Sequence, residues 1–266
     1  MAGLMQGKRG LVMGVANNHS IAWGIAQSLA EHGAELAFTY QGDNFKRRVV
    51  PLAESVGSQI VMDADVTDDA SLDAVFERLG NDWGSMDFLV HAIAYSNKDE
   101  LTGRYADTSR ANFSKTLDIS CYSFVDVSRR AAAMMPNGGG IVTMTYLGAQ
   151  RVMPNYNVMG VAKAALEASV RYLAVDFGPD GIRVNAISAG PMRTLAGSAV
   201  GGARRVFRQT ELNAPMMRNA ALEHVGGAAL YLLSDLGAST TGDIIYVDGG
   251  FHARGMARLE NLPTDV

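Results

Sequence analysis

The sequence predicts an α/β fold in which one parallel sheet of seven strands carries helices on both faces. Short runs of β-branched and aliphatic residues alternate with longer segments of helical period along nearly all of the 266 residues. Alternation of this kind favours a doubly wound sheet with right-handed crossovers. Because no change of composition marks a linker, we expect residues 1–266 to form a single domain.

Each element has its own signal. The predicted strands span residues 10–15, 36–40, 59–62, 88–92, 141–146, 183–187 and 243–247. The predicted helices span residues 21–32, 71–79, about 112–135 and about 157–177. Gly33, Gly80 and Pro136 mark the ends of the first three helices. Ligands of such sheets gather at the carboxyl ends of the strands, so the segments that follow the strands are the candidates for function.

Composition excludes several classes of function. With 48% apolar and 19% charged residues the chain can bury a large core, and no apolar run approaches the roughly 20 residues of a membrane span. A net charge of −4 gives no support for nucleic-acid binding. The five histidines are scattered without ligand spacing, so we expect no metal site. The amino terminus lacks an import or secretion signal and Cys121 is the lone cysteine, so we expect a cytoplasmic protein.

The turn after the first strand has features of a dinucleotide-binding segment. It runs from Gly14 to Gly24 and leads into the first helix, whose N–H groups and dipole favour a pyrophosphate. The usual three-glycine pattern is absent, because Ser20 stands where a glycine is expected; its hydroxyl either binds phosphate or caps the helix. After the second strand, Gln41 replaces the acidic residue that commonly binds the ribose 2′-hydroxyl. No basic residue follows directly, so a 2′-phosphate also lacks an obvious partner.

A second group of candidate residues belongs to the last predicted helix. Lys163 lies there among small apolar residues, where it either binds a ligand or extends to solvent. Tyr156 precedes it by seven residues, and Met159 occupies the position four residues before it. Steps of four and seven return to one helix face, but seven places the tyrosine roughly one turn farther away. Tyr146 lies ten residues before Tyr156, and either phenol alternatively packs with its hydroxyl at the surface.

This pattern resembles the enoyl-acyl-carrier-protein reductases of bacterial fatty-acid synthesis, a divergent group of the short-chain dehydrogenase/reductase superfamily. The resemblance rests on Tyr146, on Tyr156-Asn-Val-Met-Gly-Val-Ala-Lys163 and on Ile187-Ser-Ala-Gly-Pro191, and it extends over about residues 7–254. It implies a Rossmann fold and a homotetramer. It also implies reduction of a trans-2-enoyl thioester on acyl carrier protein by NADH, the last step of the elongation cycle.

The resemblance implies roles for individual residues. Tyr146, Tyr156 and Lys163 are the catalytic residues, and Lys163 also holds the nicotinamide ribose. Tyr156 hydrogen-bonds the thioester carbonyl, where a donor stabilises the enolate that forms on hydride addition. Ser96 contacts the substrate together with Tyr156. The cofactor-binding residues are Gly14, Ser20, Ile21, Gln41, Asp65, Val66, Ile93, Lys163, Met192 and Thr194.

Several of these positions have alternative interpretations. Gln41 alternatively faces solvent, and Asp65 alternatively caps the following helix. Ala94 stands where the family usually has glycine, which adds a methyl group beside the cofactor. Residues 195–210, rich in glycine and alanine at 196–203, are expected to form a mobile flap over the acyl chain. The three arginines of this flap either face an acidic carrier protein or form a solvated helix face; they are Arg204, Arg205 and Arg208.

Two rival functions remain at this point. A carbonyl reductase acting on 3-ketoacyl or alcohol substrates would have a tyrosine where Met159 stands and an active-site asparagine near Ser120. A nucleotide-sensing protein without catalysis would not need both Tyr156 and Lys163. Consumption of NADH with crotonyl thioesters separates the three functions.

Overall fold

The fold is built on one parallel sheet, seen in a computed structural model that describes residues 3–195, 197 and 201–262. Its strands are β1 (Arg9–Met13), β2 (Glu35–Tyr40), β3 (Ile60–Asp63), β4 (Phe88–His91), β5 (Gly139–Thr145), β6 (Ile182–Ala189) and β7 (Ile244–Val247). Neighbouring strands all pair in parallel, in the spatial order β3-β2-β1-β4-β5-β6-β7. The predicted doubly wound sheet of seven strands is therefore confirmed.

Helices pack on both faces of this sheet. Within the described residues they are α1 (Ile21–Glu31), α2 (Asp43–Ser55), α3 (Asp69–Trp83), α4 (Arg110–Leu117), α5 (Ser123–Ala132), α6 (Asn157–Phe177), α7 (Ala203–Asn213) and α8 (Leu222–Leu233). One buried apolar cluster joins one sheet face to α1 and α8 and includes Phe38 and Leu232. A second cluster joins the opposite face to α3, α5 and α6 and includes Phe124 and Leu166. Each such side chain contributes roughly 1.5–3 kcal/mol relative to exposure.

Several predicted helix boundaries are wrong. Helix α3 continues through Gly80 and stops at Gly84, whose φ of 72° is left-handed. The single helix predicted over 112–135 is divided by a π-helical turn, Asp118–Tyr122, between α4 and α5. Part of the predicted flap is helical, because α7 begins after Gly202 in a sequence rich in helix-forming residues. Residues 196 and 198–200 of that flap lie outside the described residues.

The strand order determines where a ligand can bind. Strands β1 and β4 are neighbours in the sheet although two strands separate them in the chain, so their carboxyl ends form a topological switch point. Gly14 and Ala92 follow these two strands and meet there. A Cβ added at Gly14 would lie 2.2 Å from the Ala92 carbonyl oxygen, and Gly14 also has a φ of 103°. Only glycine fits this position, because it allows the chain after β1 to approach the backbone that follows β4.

None of the described helices has both the length and the apolar character needed to cross a membrane.

Candidate active site

Tyr146 and Tyr156 meet at the carboxyl end of β5. Tyr146 follows β5 directly and Tyr156 immediately precedes α6. Their rings contact edge to face, with centroids 5.1 Å apart. Gly148 allows this approach, because a Cβ at that position would lie 2.4 Å from Cδ1 of Tyr156 and 3.2 Å from Cδ1 of Tyr146. Both rings are partly buried, which disfavours the alternative that they merely pack at the surface.

Both phenols retain their protons at neutral pH. Burial, with a smaller contribution from the Asp248 carboxylate, raises the pKa of Tyr146 to about 12. Burial also raises the pKa of Tyr156 above its ordinary value, and the charges of Tyr146 and Glu167 act in the same direction. A hydroxyl with so high a pKa is a hydrogen-bond donor at pH 7 rather than a base. The pair is suited to an oxygen on which negative charge develops.

Lys163 is buried against β5, close to the strand end from which Tyr146 follows. Its side chain belongs to a residue only 6% exposed, and Nζ donates to the carbonyl oxygen of Met144 at 2.8 Å. The alternative that this lysine extends to solvent is therefore wrong. Burial lowers the pKa of Lys163 to about 8, against the attraction of Cys121 and Glu167. The ammonium group is still charged at pH 7, and it has two further donors for a ligand.

Ser20 organises the turn after β1. Its Oγ accepts hydrogen bonds from the N–H groups of Ala16 and Asn17, at 2.9 and 3.1 Å. Although Ser20 occupies the N-cap position of α1, its side chain makes no capping hydrogen bond, so the capping alternative is wrong. The first N–H groups of α1, beginning with Ile21, are left uncapped by this hydroxyl. A helix N-terminus of this kind fits a pyrophosphate.

Gln41 and Asp65 form a pair at the ends of β2 and β3. Gln41 is exposed, and its Nε2 donates to Asp65 Oδ2 at 2.9 Å, so its cofactor-binding role stays a prediction. The other carboxylate oxygen accepts the N–H and the hydroxyl of Thr67, at 2.9 and 2.7 Å. Helix α3 is capped by Asp68, which accepts the N–H of Ala70 at 3.1 Å, so the capping alternative for Asp65 is wrong.

The charge of this pair bears on cofactor choice. Burial opposes ionisation of Asp65, but hydrogen bonds from Thr67 and Gln41 keep its pKa below the ordinary value. An ionised carboxylate beside Gln41 accepts hydrogen bonds from an adenosine and repels a 2′-phosphate. The neighbouring Val66 packs against the apolar cluster under α3.

The segment after β4 is held by the π-helical turn. Ser120, fully buried in that turn, accepts the N–H of Tyr95 at 2.9 Å and donates to the Tyr95 carbonyl at 3.1 Å. Ile93 packs against the core from the same segment, whereas Ala94 is exposed. The π-helical turn thus fixes the backbone that leads from β4 to the switch point.

Ser96 is engaged within the protein. Its Oγ accepts the hydroxyl of Thr116 at 2.9 Å and lies 3.3 Å from the side-chain oxygen of Asn112. Asn112 also accepts the N–H of Asn97 at 2.9 Å. These bonds tie the segment to α4, and the substrate-binding role of Ser96 stays a prediction.

The segment after β6 leads towards α7. Met192 packs against the cluster shared by α1 and α8. Thr194 Oγ1 accepts the N–H of Gly197 at 2.9 Å. The guanidinium of Arg193 lies 5.0 Å from the ring centroid of Phe207, which joins this segment to α7. The cofactor-binding roles of Met192 and Thr194 stay predictions.

His91 is a buried polar residue that no sequence spacing identified. It ends β4 and is fully buried, with Nε2 2.9 Å from Ser123 Oγ and Nδ1 3.3 Å from Thr143 Oγ1. Ser123 donates its own proton to the Ile119 carbonyl at 2.7 Å and Thr143 donates to the His91 carbonyl at 3.0 Å, so both hydroxyl oxygens can accept a hydrogen from the imidazole. Burial, and then the charge of Lys163, lower the pKa of His91 to about 3. The described residues contain no group of three or more His, Cys, Asp or Glu that could hold a metal.

Comparisons with known proteins agree with this geometry. The family model described as enoyl-(acyl carrier protein) reductase matches residues 14–252. The chain belongs to the enoyl-acyl-carrier-protein reductase family. This family member is 61% identical over 259 residues to enoyl-acyl-carrier-protein reductase (NADH) 1 of Rhizobium meliloti, covering 97% of this chain and 95% of that protein. It is 54% identical over 257 residues to the corresponding Rickettsia felis protein, covering 97% and 99%.

Solved structures of reductases share the fold. An Anaplasma phagocytophilum reductase in complex with NAD superposes with a TM-score of 0.93 at 52% identity, over 99% of this chain and 98% of that one. A Candidatus Liberibacter asiaticus protein named FabI superposes with a TM-score of 0.95 at 50% identity, over 97% and 100%. The family and the fold predicted from the sequence are confirmed.

Proposed function

We propose that this reductase transfers a hydride from NADH to a trans-2-enoyl thioester on acyl carrier protein, giving the saturated acyl thioester and NAD⁺. The observation that carries the proposal is the contact of two protonated phenols, Tyr146 and Tyr156, at the end of the strand against which the ammonium of Lys163 is buried. The two phenols are hydrogen-bond donors for an oxygen that becomes negative. The similarity to proteins named as NADH-dependent enoyl reductases supports the same assignment.

The residues at the switch point fit NADH. Gly14 lets the segments after β1 and β4 approach each other, and α1 begins there without a side-chain cap from Ser20. Gln41 and Asp65 suit an adenosine that lacks a 2′-phosphate. When bound, NADH supplies the hydride. Lys163 is the residue proposed to hold the nicotinamide ribose through its two remaining donors.

Tyr156 is proposed to act on the thioester oxygen. When a hydride adds to the β-carbon, the electron pair of the double bond moves towards that oxygen and forms an enolate, which a proton then completes at the α-carbon. A neutral phenol that donates to the oxygen stabilises this charge. Removing one donor from such a site costs about 2.7–4 kcal/mol, or about 10²–10³ in kcat.

The geometry disfavours a ketone-reducing site. Met159, four residues before Lys163, is buried and has no proton to donate to a carbonyl. The hydroxyl of Ser120 already accepts the N–H of Tyr95 and donates to the Tyr95 carbonyl oxygen. The two positions at which a carbonyl reductase would place its tyrosine and asparagine therefore offer no free donor.

A homotetramer and a cytoplasmic location are part of the proposal. Helix α6 exposes an apolar stripe of Val161, Tyr172 and Val175, the last two each 76% exposed. These positions lie on one helix face, and such a stripe is typical of a surface that another subunit covers. The free thiol of Cys121 suits a reducing compartment. Light scattering of the purified protein should give the mass of four chains, and a monomer would refute the assembly.

Acyl carrier protein is the proposed donor of the enoyl group. Arg204 and Arg205 are exposed on α7, where they can meet an acidic partner. Arg208 is paired with Glu211 at 2.8 Å and is less available. The flap of residues 195–210, of which these arginines form part, is proposed to cover the acyl chain.

The test measures NADH oxidation with crotonyl and acetoacetyl thioesters of acyl carrier protein. We expect turnover of the crotonyl thioester alone, and Tyr156→Phe should lower kcat by about 10²–10³ while NADH affinity stays within a few fold. Turnover of the acetoacetyl thioester without the crotonyl thioester would overturn the proposal. A Tyr156→Phe variant that changes only KM would make Tyr156 a binding residue instead.

A further inference from the structure

Glu167 is a buried carboxylate that has no role in the reaction as proposed above. It is 5% exposed within α6, one helical turn after Lys163. A carboxylate removed from water is costly unless hydrogen bonds or a nearby positive charge compensate. Glu167 accepts hydrogen bonds from two side chains, Thr145 at the end of β5 and Gln150 in the segment that follows it.

The two carboxylate oxygens hold opposite ends of that segment, which we call the Tyr146 turn and define as residues 145–150. Oε1 of Glu167 accepts the hydroxyl of Thr145 at 2.8 Å, and Oε2 accepts Nε2 of Gln150 at 3.2 Å. Tyr146 and the single 3₁₀ turn Leu147–Ala149 lie between these two contacts. One side chain of α6 therefore fixes both ends of the turn that carries Tyr146.

The same turn also sets the position of Tyr156. Gly148 belongs to it, and the Tyr156 ring lies directly against the Gly148 backbone. A Cβ added at Gly160 of α6 would lie 2.8 Å from the Gly148 carbonyl oxygen, so turn and helix are in close contact. A small movement of the turn away from α6 would change the spacing of the two phenols.

We propose that Glu167 is a positioning residue of the reductase, which holds the Tyr146 turn against α6 and whose negative charge balances the ammonium of Lys163. The proposal rests on the proposed enoyl reduction for its kinetic consequences. Its electrostatic consequence concerns NADH binding and is independent of the thioester substrate.

The electrostatic consequence follows from the groups around Lys163. They come from four elements: the Met144 carbonyl of β5, His91 of β4, the Cys121 thiol of the π-helical turn and Glu167 of α6. Burial lowers the pKa of Lys163 to about 8, and Cys121 and Glu167 oppose that effect. Since His91 is neutral and the thiol is protonated at pH 7, Glu167 is the anion that supports the ammonium there. Removing the charge of Glu167 should lower the pKa of Lys163, so that Lys163 loses its proton at a lower pH.

The experiment compares Glu167→Gln, Thr145→Val and Thr145→Ser, with the exposed Glu54→Gln of α2 as the matched control. For each folded variant, kcat and KM are measured with crotonyl acyl carrier protein. The Kd for NADH is measured by fluorescence across the pH range centred on the Lys163 pKa of about 8.

We expect Thr145→Val to lower kcat roughly tenfold with NADH affinity at pH 7 within about threefold, because the turn is misplaced and the ammonium is not. Thr145→Ser should restore kcat. Glu167→Gln should lower kcat in the same way and should also move the loss of NADH affinity to lower pH, whereas Glu54→Gln should change neither quantity.

Two results would overturn the proposal. One is a kcat within about twofold of the wild type in both Thr145→Val and Glu167→Gln. The other is an unshifted pH dependence of NADH binding in Glu167→Gln. If Glu167→Gln does not fold, the Thr145 pair decides the kinetic part. If the wild type does not reduce the crotonyl thioester, the proposed function fails, while the pH dependence of NADH binding still tests Glu167.

Discussion

Replacement of Gly148 by alanine should reduce turnover strongly, because the added methyl group meets the Tyr156 ring. The new Cβ would lie 2.4 Å from Cδ1 and 2.6 Å from Cε1 of Tyr156, whereas ordinary contacts begin at 3.4 Å. The Tyr156 ring must therefore withdraw by about 1 Å. Misplacement of a catalytic group by that distance can cost about 10²-fold in rate, which is about 2.7 kcal/mol.

The assay separates turnover from cofactor binding and from stability. We expect Gly148→Ala to lower kcat for crotonyl acyl carrier protein by about 10²-fold. The Kd for NADH should stay within about threefold, because Lys163 and the turn after β1 are not displaced. Overpacking of the Tyr146 turn should also lower the free energy of unfolding by about 1–3 kcal/mol, measured by denaturant titration.

Gly80→Ala is the matched control. Gly80 lies inside α3, and a Cβ there would have nothing within 4 Å. This variant should gain about 0.5–1 kcal/mol of stability and keep the wild-type kcat. The reasoning is refuted if Gly148→Ala keeps its full kcat, since the ring would then have room to move without consequence. Equal losses in kcat and in NADH affinity would show that the perturbation spreads beyond Tyr156.

NADH affinity should fall as the pH rises through about 8, where Lys163 loses its proton, and Lys163→Arg should move that fall to higher pH. A fluorescence titration checks this, and an unmoved pH dependence in Lys163→Arg would assign the titration to another group. His91 has a pKa of about 3 in the folded protein, against 6.5 for the free side chain. At pH values between these two, the side chain is protonated in the unfolded state and neutral in the folded state. The free energy of unfolding should therefore fall as the pH decreases through that window, by up to about 5 kcal/mol at 1.36 kcal/mol per pKa unit, and His91→Gln should lose this dependence in denaturant titrations. Ala94→Gly should keep turnover of a short enoyl thioester within a few fold and strengthen rigid aromatic inhibitors, because a methyl that crowds a flat ligand typically costs about 1–3 kcal/mol. Equal or weaker inhibition of the glycine variant would show that the methyl points away from the ligand.

Local signals were sufficient to predict much of the fold. All seven strands were found from short runs of β-branched and aliphatic residues, which a parallel sheet covered on both faces favours. Helix Asn157–Phe177 was placed correctly, because the segment with helical periodicity is long and Gly178 follows it. Gly80 was misread because glycine stops a helix only where the backbone turns left-handed, and that occurs at Gly84. The π-helical turn was missed because its Ser120 bonds to Tyr95, a partner 25 residues away in the chain.

The site was predictable where spacing along one helix carries the chemistry. Tyr156 and Lys163 belong to a seven-residue spacing that is visible in the sequence. His91 and Glu167 gave no such signal, because their roles depend on burial and on partners from other elements: Ser123 and Thr143 for the first, Thr145 and Gln150 for the second. The burial that makes these groups important is a property of the tertiary structure.

Burial has opposite consequences for the tyrosines and for the lysine of the proposed active site. For a tyrosine it favours the neutral form, which is the hydrogen-bond donor, so the rise of the Tyr146 pKa to about 12 protects its function. For a lysine, burial favours the uncharged form. Because the pKa of Lys163 falls to about 8, the side chain begins to lose its charge just above neutral pH. The alkaline limit of the enzyme should therefore be set by the lysine rather than by either tyrosine. An anion near the lysine favours its charged form, and Glu167, which accepts hydrogen bonds from both ends of the Tyr146 turn, is placed to supply it.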